Sequence, residues 1–404
     1  MSSWIVSPRW VDDFKPPARA RTLNHKIVLD SVESAPMKIL QLCSARQLGG
    51  GEKHLADLAN GLAGRGHDVF AAVSPSSPLL AELRSVPKQN TVELPMRNSL
   101  NVASGVNVTR FVRQHEIEIV HAHVARDYPL AAFVARRAGA RLVLTRHVLF
   151  PLNRIHRLTL RRTARIIGVS QAVVKALRAQ GIFDPDRIVL IHNGIDVDRF
   201  AKGREDLARN EQSTNKKLRV GMVGHLAPIK GQEDFIRAAA LLRNRRADVE
   251  FIIAGEDKSR HGEHRRPIEE LIDSLNLNQH VRLIGWVEDI SKLLPTLDVF
   301  VSASRSEPFG LSIVEAMAAH VPVVSTRSEG AQEIIEDNRT GRLIPIGDVE
   351  ALASTIEGLL SDAEERVRLS NNAQRAVRER FSLEGMLSAT EQVYREALDV
   401  RSAG

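Results

Sequence analysis

Ser304-Arg-Ser-Glu-Pro-Phe-Gly-Leu-Ser-Ile-Val-Glu-Ala-Met-Ala318, preceded by Asp298-Val-Phe-Val-Ser302, is the stretch on which the reading of the chain turns. It reads as a buried strand, a polar loop broken by Pro308 and Gly310, and the opening turns of a helix. The first N–H groups of such a helix lack intrahelical partners, so the junction suits an anion. Two carboxylates bracket it. Glu307 falls in the loop at the strand's carboxyl end, where open α/β sheets bind ligands, and Glu315 lies about one helical turn further in. An anion site flanked by carboxylates fits a ligand with both phosphate and hydroxyl groups, such as a sugar nucleotide.

The strand–helix alternation extends outward from this point. Met37 to Cys43 reads as a strand running into Gly49-Gly50-Gly51, after which Leu55, Leu58, Ala59, Leu62 and Ala63 recur at helical spacing until Gly64 and Gly66. Further strands are expected over Val69 to Val73, Ile117 to His121, Arg141 to Thr145 and Arg165 to Val169. A second series covers Leu218 to Val223, Val249 to Ala254, Val281 to Ile284, Val299 to Ser302 and Val321 to Ser325. Its helices are led by Asp234 to Leu242, Pro267 to Leu275 and Ser312 to Ala319. This predicts an α/β chain of two Rossmann-like, doubly wound domains, residues 37–200 and 218–380. The polar residues 201–217 are the expected linker. Residues 381–404 are expected to form a closing amphipathic helix that packs back on the first domain. Residues 1–36 show no sustained period and are expected to be a poorly ordered appendage, or an over-extended start whose natural beginning is Met37.

At 404 residues the chain is too long for one modest core, and its 43% hydrophobic and 26% charged composition is that of a globular protein. No apolar run approaches the length of a membrane-spanning helix and no secretory signal is visible, so a cytosolic chain is expected. The single cysteine, Cys43, excludes an intramolecular disulfide and a thiolate-rich metal site. A net charge of +7 favours anionic partners. Nucleic acid is not expected among them, because aromatics are only 4% and no basic run is interleaved with them.

Each remaining constellation has a bland reading beside a functional one. Gly49-Gly50-Gly51-Glu52 can be a steric turn or a backbone cradle for ligand oxygens, and it lacks the dinucleotide fingerprint Gly-x-Gly-x-x-Gly. In Gly224-His225-Leu-Ala-Pro-Ile-Lys230-Gly231, Lys230 is either an exposed lysine or a phosphate partner at the second domain's crevice. His121 and His123 point to one side of an extended segment, but no third metal ligand is evident at a telling spacing, so structural hydrogen bonding is the expectation. His147, just past a strand, is the better site candidate. Asp196-Val-Asp198 is expected to be a structural turn rather than a metal–diphosphate clamp. Arg154, Arg157, Arg161 and Arg165 are spaced to share one helical face, with Arg162 beside it. That face is either solvated or an electrostatic footing on anionic lipid or a phosphorylated acceptor.

Together the motifs resemble the retaining glycosyltransferases of family 4, whose GT-B architecture sets two Rossmann-like domains across a cleft. The resemblance covers nearly all of residues 37–398. It rests on the Glu-x7-Glu element from Glu307 to Glu315, with Gly50-Gly51-Glu52, Arg65-Gly-His-Asp-Val69, Thr145-Arg-His147, Asn193-Gly-Ile-Asp196, Lys230-Gly231 and Thr340-Gly-Arg-Leu-Ile-Pro345 in order. It implies that Glu315 binds the ribose diol, Glu307 the donor sugar's hydroxyls, and the Phe309-Gly310-Leu311 backbone the distal phosphate. Lys230 would neutralise the departing diphosphate, Gly50 and Gly51 would close over it, and His147 would orient sugar or acceptor. Where the family usually carries an arginine, this chain has His225, which need not stay charged at neutral pH. The activity so implied is metal-independent, retaining transfer from a nucleoside-diphosphate sugar, UDP by expectation, to a cell-envelope glycan or lipid-linked acceptor at the inner membrane face. No cofactor is implied. A sugar-nucleotide epimerase and a non-catalytic sugar-nucleotide-binding module are the competing readings.

Overall fold

The computed structural model describes residues 35–95, 102–153, 156–202, 217–259 and 261–399. Residues 1–34 of the expected appendage, 203–216 of the expected linker, and Arg154 lie outside the described residues. From Pro36 onward the chain gathers into one compact unit.

That unit holds two parallel sheets. In the first lobe β1 (Lys38–Cys43), β2 (Asp68–Val73), β3 (Thr91–Glu93), β4 (Ile119–Ala122), β5 (Arg141–Arg146), β6 (Arg165–Gly168) and β7 (Ile188–Leu190) lie in the order β3-β2-β1-β4-β5-β6-β7. The second lobe comprises β8 (Leu218–Val223), β9 (Val249–Ala254), β10 (Val281–Gly285), β11 (Val299–Ser302), β12 (Val323–Thr326) and β13 (Arg342–Ile344), in the order β10-β9-β8-β11-β12-β13. All pairings between these strands are parallel, as expected for strands joined by helical crossovers. The central strands are apolar runs buried along their length, such as Val-Phe-Val-Ser in β11, because helices cover both faces.

The chain order reverses between β1 and β4 in one sheet and between β8 and β11 in the other. Crevices open at the carboxyl ends of strands at such switch points. Into them run the loops after β1 and β4, and after β8 and β11, which carry the glycine, lysine and glutamate motifs.

The main helices are α1 (Gly50–Gly64), α2 (Val102–Gln114), α3 (Tyr128–Ala138), α4 (Gln171–Gln180), α5 (Gln232–Arg243), α6 (Arg265–Ser274), α7 (Leu311–Ala318), α8 (Val349–Ser361), α9 (Ala363–Arg380) and α10 (Leu383–Asp399). Although α10 is last in sequence, it packs in the first lobe. Met386, Leu387, Val393, Tyr394 and Ala397 join Ile39, Leu55, Leu58 and Leu62 in one buried cluster. Ile195 N–H donates to Phe381 O at 3.0 Å and Leu383 N–H to Ile195 O at 2.8 Å, so the crossing back is stitched by backbone.

Several sequence expectations shift. Val321 to Ser325 begins at Val323, because Pro322 has no N–H for the ladder. The segment expected over Ile117 to His121 runs from Ile119 to Ala122. The edge strands β3, β7 and β13 were not expected; at three residues each they are too short for a strand period to repeat.

Candidate active site

Two loops of the second lobe build the polar floor of the cleft. Gly231, after the turn Pro228–Lys230, adopts φ +74°, and a Cβ there would meet Ala303 O at 2.0 Å. Only glycine lets the loop after β8 press on the loop after β11. Arg305 N–H then donates to Ile229 O at 2.8 Å, and Lys230 Nζ reaches Glu307 Oε2 at 2.6 Å. Both side chains of that pair remain partly accessible, 19% and 13%. The pair is therefore poised toward the cleft rather than sealed in a core.

Phe309 is buried, and Gly310 at φ +109° caps α7, leaving the first-turn N–H groups of Leu311 and Ser312 without helical partners. An ammonium and a helix N-terminus thus converge with a carboxylate. This arrangement binds an anion beside a hydroxyl-bearing group.

Glu315 is on α7 and almost wholly buried. Burial raises its pKa to about 7, opposed mainly by the Lys53 ammonium 3.7 Å away on α1. Its Oε1 has no hydrogen-bond partner among the described residues. A buried carboxylate with a free acceptor is costly unless a donor arrives, and a diol supplies two. His225 lies at the cleft mouth with its pKa lowered, first by desolvation and then by the Lys230 and Lys258 ammonium groups, so it is neutral near pH 7.

The first lobe contributes the roof. Gly50 and Gly51 open α1, and neither has a left-handed φ. A Cβ at Gly50 would come no closer than 3.9 Å to Leu311, and one at Gly51 would stand 3.5 Å from the His147 ring. The protein's own packing does not demand glycine at either place, so what the missing side chains leave open is cleft space over α7 and His147. His147 is half-buried, and burial with His54, His121 and Arg146 nearby holds it well below its ordinary pKa.

His121 is held by hydrogen bonds, the structural role expected of it. Its Nδ1 lies 2.6 Å from Tyr394 Oη and its Nε2 2.7 Å from Thr145 Oγ1. His123, however, has company the sequence did not reveal: His54 and His147 stand beside it. Asp196 makes a turn, accepting from Arg199 N–H at 3.1 Å.

The arginine face is corrected. Among the described residues there, His156–Thr159 is helical; Arg161 and Arg162 lie in the following turn, and Arg165 opens β6, where it bonds Ala164 O and approaches Glu396. Residues 165–168 pair in parallel with β5, and that ladder overrides the helical spacing. Arg157, Arg161 and Arg162 are nonetheless exposed, near Leu158 at 80% and Phe150 at 70% exposure.

Sequence reasoning missed Lys53, His54, Lys258 and Trp286. Lys258 bonds Leu48 O across the lobes and lies 5.5 Å over the exposed Trp286 ring. Lys53 and His54 follow the glycine run at the start of a helix, which is the one signal that could have drawn attention to them. Further contacts join the lobes: Ser170 Oγ donates to Pro308 O at 2.5 Å, and Glu333 accepts from Gln171 N–H at 2.8 Å and contacts His192 Nε2 at 2.5 Å.

Comparison with known proteins agrees with this geometry. The family description "Glycosyltransferase Family 4" matches residues 48–199, and "Glycosyl transferases group 1" matches residues 203–376. The chain is 30% identical to a GDP-mannose-dependent alpha-(1-6)-phosphatidylinositol monomannoside mannosyltransferase of Mycolicibacterium smegmatis, over 63% of this chain and 70% of that one. It is 24% identical to N-acetyl-alpha-D-glucosaminyl L-malate synthase of Bacillus anthracis, over 74% of this chain and 80% of that one. HepE of Anabaena, solved with UDP and glucose, superposes with a TM-score of 0.76 at 25% identity, over 88% of this chain and 98% of that one. Two Rossmann-like lobes, a switch-point crevice holding Lys230, Glu307 and Glu315, and family matches on both lobes lead to one conclusion: the chain is a GT-B glycosyltransferase and belongs to family 4.

Proposed function

We propose that this glycosyltransferase takes a hexose-type sugar from UDP, retains the anomeric configuration, needs no metal ion, and delivers the sugar to a cell-envelope glycan or lipid-linked acceptor. The observation that carries the reading is the Lys230–Glu307 pair beside the N-terminus of α7. As the bond from the sugar's C1 to the phosphate oxygen breaks, negative charge grows on the diphosphate. Lys230 and the α7 N–H groups hold that charge, which is the task a divalent cation performs elsewhere. Glu307 accepts hydrogen bonds from the donor sugar's hydroxyls, and Glu315 takes the ribose diol. His147 and the open roof of Gly50 and Gly51 face the sugar from the first lobe. The acceptor's oxygen attacks on the face the phosphate leaves, and its proton passes to the departing phosphate oxygen.

Glu307 and Glu315 do not act as the acid and nucleophile of a retaining glycosidase, because Glu307 is paired with Lys230 and Glu315 is buried against Lys53. For the base, the HepE complex with UDP favours UDP, whereas the mycobacterial relative is named for GDP-mannose. The phosphatidylinositol mannoside in that relative's name supports a lipid-linked acceptor. No helix among the described residues is long and apolar enough to cross a membrane. Arg157, Arg161 and Arg162 with Phe150 and Leu158 would seat the first lobe peripherally on an anionic bilayer, on its inner face.

Incubating purified protein with a panel of sugar nucleotides, with and without membrane extract, tests the reading. Free UDP appearing only with extract is the expected result. An isomerised donor without extract would instead establish an epimerase, and tight donor binding with neither product a binding module.

A further inference from the structure

Three histidines of the first lobe meet behind the roof of the cleft, brought there by three different elements. His54 comes from α1, His123 from the segment after β4, and His147 from the segment after β5. Each offers one nitrogen, and the three atoms lie within 4.8 Å of one another. His54 Nδ1, His123 Nδ1 and His147 Nε2 are buried and have no hydrogen-bond partner among the described residues. His54 and His123 are each only 4% exposed. We propose that this trio binds a divalent metal ion of the zinc class, and that the bound ion inhibits transfer by withdrawing His147 from the donor sugar. The binding half stands on the cluster alone; the inhibitory half rests on the role of His147 proposed above.

The geometry asks for little movement. Zinc holds imidazole nitrogens at about 2.0–2.1 Å in a tetrahedron, so ligand nitrogens stand roughly 3.4 Å apart, and three rings closing from 4.8 Å each move by less than about 1 Å. The rings already crowd together, with centroids of His54 and His147 at 4.8 Å and those of His123 and His147 at 5.9 Å.

The surroundings also fix a tautomer. His123 Nε2 lies 2.8 Å from Gln41 Oε1, an oxygen that can only accept, so the ring carries its proton there and leaves the Nδ1 lone pair free. Gln41 Nε2 in turn reaches Tyr394 Oη at 3.3 Å, and Tyr394 also holds His121. This is the outer-shell orientation that metal-binding histidines require. Three imidazoles leave a fourth position, and His147, half-exposed beside Gly51, is the member that opens toward the cleft.

The test uses the full chain after chelator treatment and dialysis. Calorimetry with zinc chloride should give one ion per chain, and cobalt chloride should develop the visible absorption of a nitrogen-ligated, low-coordinate site. Zinc should raise the thermal midpoint and inhibit UDP release, and chelator should reverse both. His54→Ala and His123→Ala should each weaken zinc binding at least about tenfold, and Gln41→Leu should weaken it about 10–100-fold through the outer shell. His261→Ala, at an exposed position of the second lobe, should change nothing. If one variant fails to fold, the others still decide the matter, since they lie on different elements. Absence of zinc and cobalt binding, or binding unchanged in the His54 and His123 variants, overturns the site. Binding without inhibition overturns the inhibitory half. Lost transfer in His147→Ala without zinc binding to the wild type retires the metal site and leaves the proposed function standing.

Discussion

Replacing Lys230 with alanine removes the side-chain cation paired with Glu307 in the cleft floor, and its consequence can be worked from the geometry. In the free site the ammonium stands 2.6 Å from Glu307 Oε2. A unit charge about 4 Å from the leaving phosphate, at an effective dielectric near 20, interacts by about 4 kcal/mol. Part of that attraction is already given to Glu307 before the donor binds. Only the part that strengthens as the bond to C1 breaks lowers the barrier. The net is about 3 kcal/mol, within the range found for a single preorganised donor at a developing oxyanion, which corresponds to a loss of about 10² in kcat. The assay is initial-rate UDP release with saturating donor and extract, with circular dichroism to establish that the variant is folded. The pair is partly solvated, so the cost to folding should stay near about 1 kcal/mol. A companion variant, Glu307→Gln, should lose turnover while keeping diphosphate affinity, since the freed ammonium remains. Near-normal kcat in Lys230→Ala, or a defect confined to KM, would refute the leaving-group role.

Three other outcomes follow from the same structure. Glu315, raised to about 7 by burial, is protonated in the free protein below that pH, and a ribose diol prefers the carboxylate. UDP affinity should therefore rise with pH and level off above about 7, being roughly tenfold weaker at pH 6 than at pH 8, with proton release seen by calorimetry in buffers of different ionisation enthalpy. A flat profile for wild type, or an unchanged slope in Glu315→Gln, would remove Glu315 from the ribose site. The buried histidines make the fold acid-sensitive. Burial lowers His54 to about 4 and His121 to about 3, so the stability of their neutral forms is complete above about 6.5, where the unfolded chain is also neutral, and is lost as pH falls toward those values. The loss is up to about 1.4 kcal/mol per histidine per pH unit, and a thermal midpoint that stays level between pH 7 and 5 would contradict it. Leu158→Glu and Phe150→Glu should each reduce sedimentation with vesicles containing anionic lipid; unchanged binding would rule out this surface as the footing.

The sequence made the second lobe more legible than the first. The strands β8, β9 and β11 were placed to the residue, because each is a short, mostly apolar stretch entered from a charged residue, Lys217, Asp248 and Asp298 respectively. Lys230 and Glu307 could be paired in thought because both follow strands at one switch point, but their contact depends on Gly231 fitting against Ala303 O, which is a tertiary fact. The arginine spacing misled for a related reason: a periodic pattern cannot report that residues 165–168 are taken up by β6. The histidine trio was hidden because His54, His123 and His147 are far apart in the chain and converge only when α1, β4 and β5 pack together. Lys53 escaped notice because its partner, Glu315, belongs to the other lobe.

The most direct measurement follows the product's anomeric configuration by NMR during transfer from a UDP-α-sugar in buffer containing excess chelator. An α-linked product formed at a rate that chelation does not reduce, with equimolar UDP, is the expected result. A β-linked product, or transfer that stops with chelator and returns with added magnesium or manganese, would contradict it.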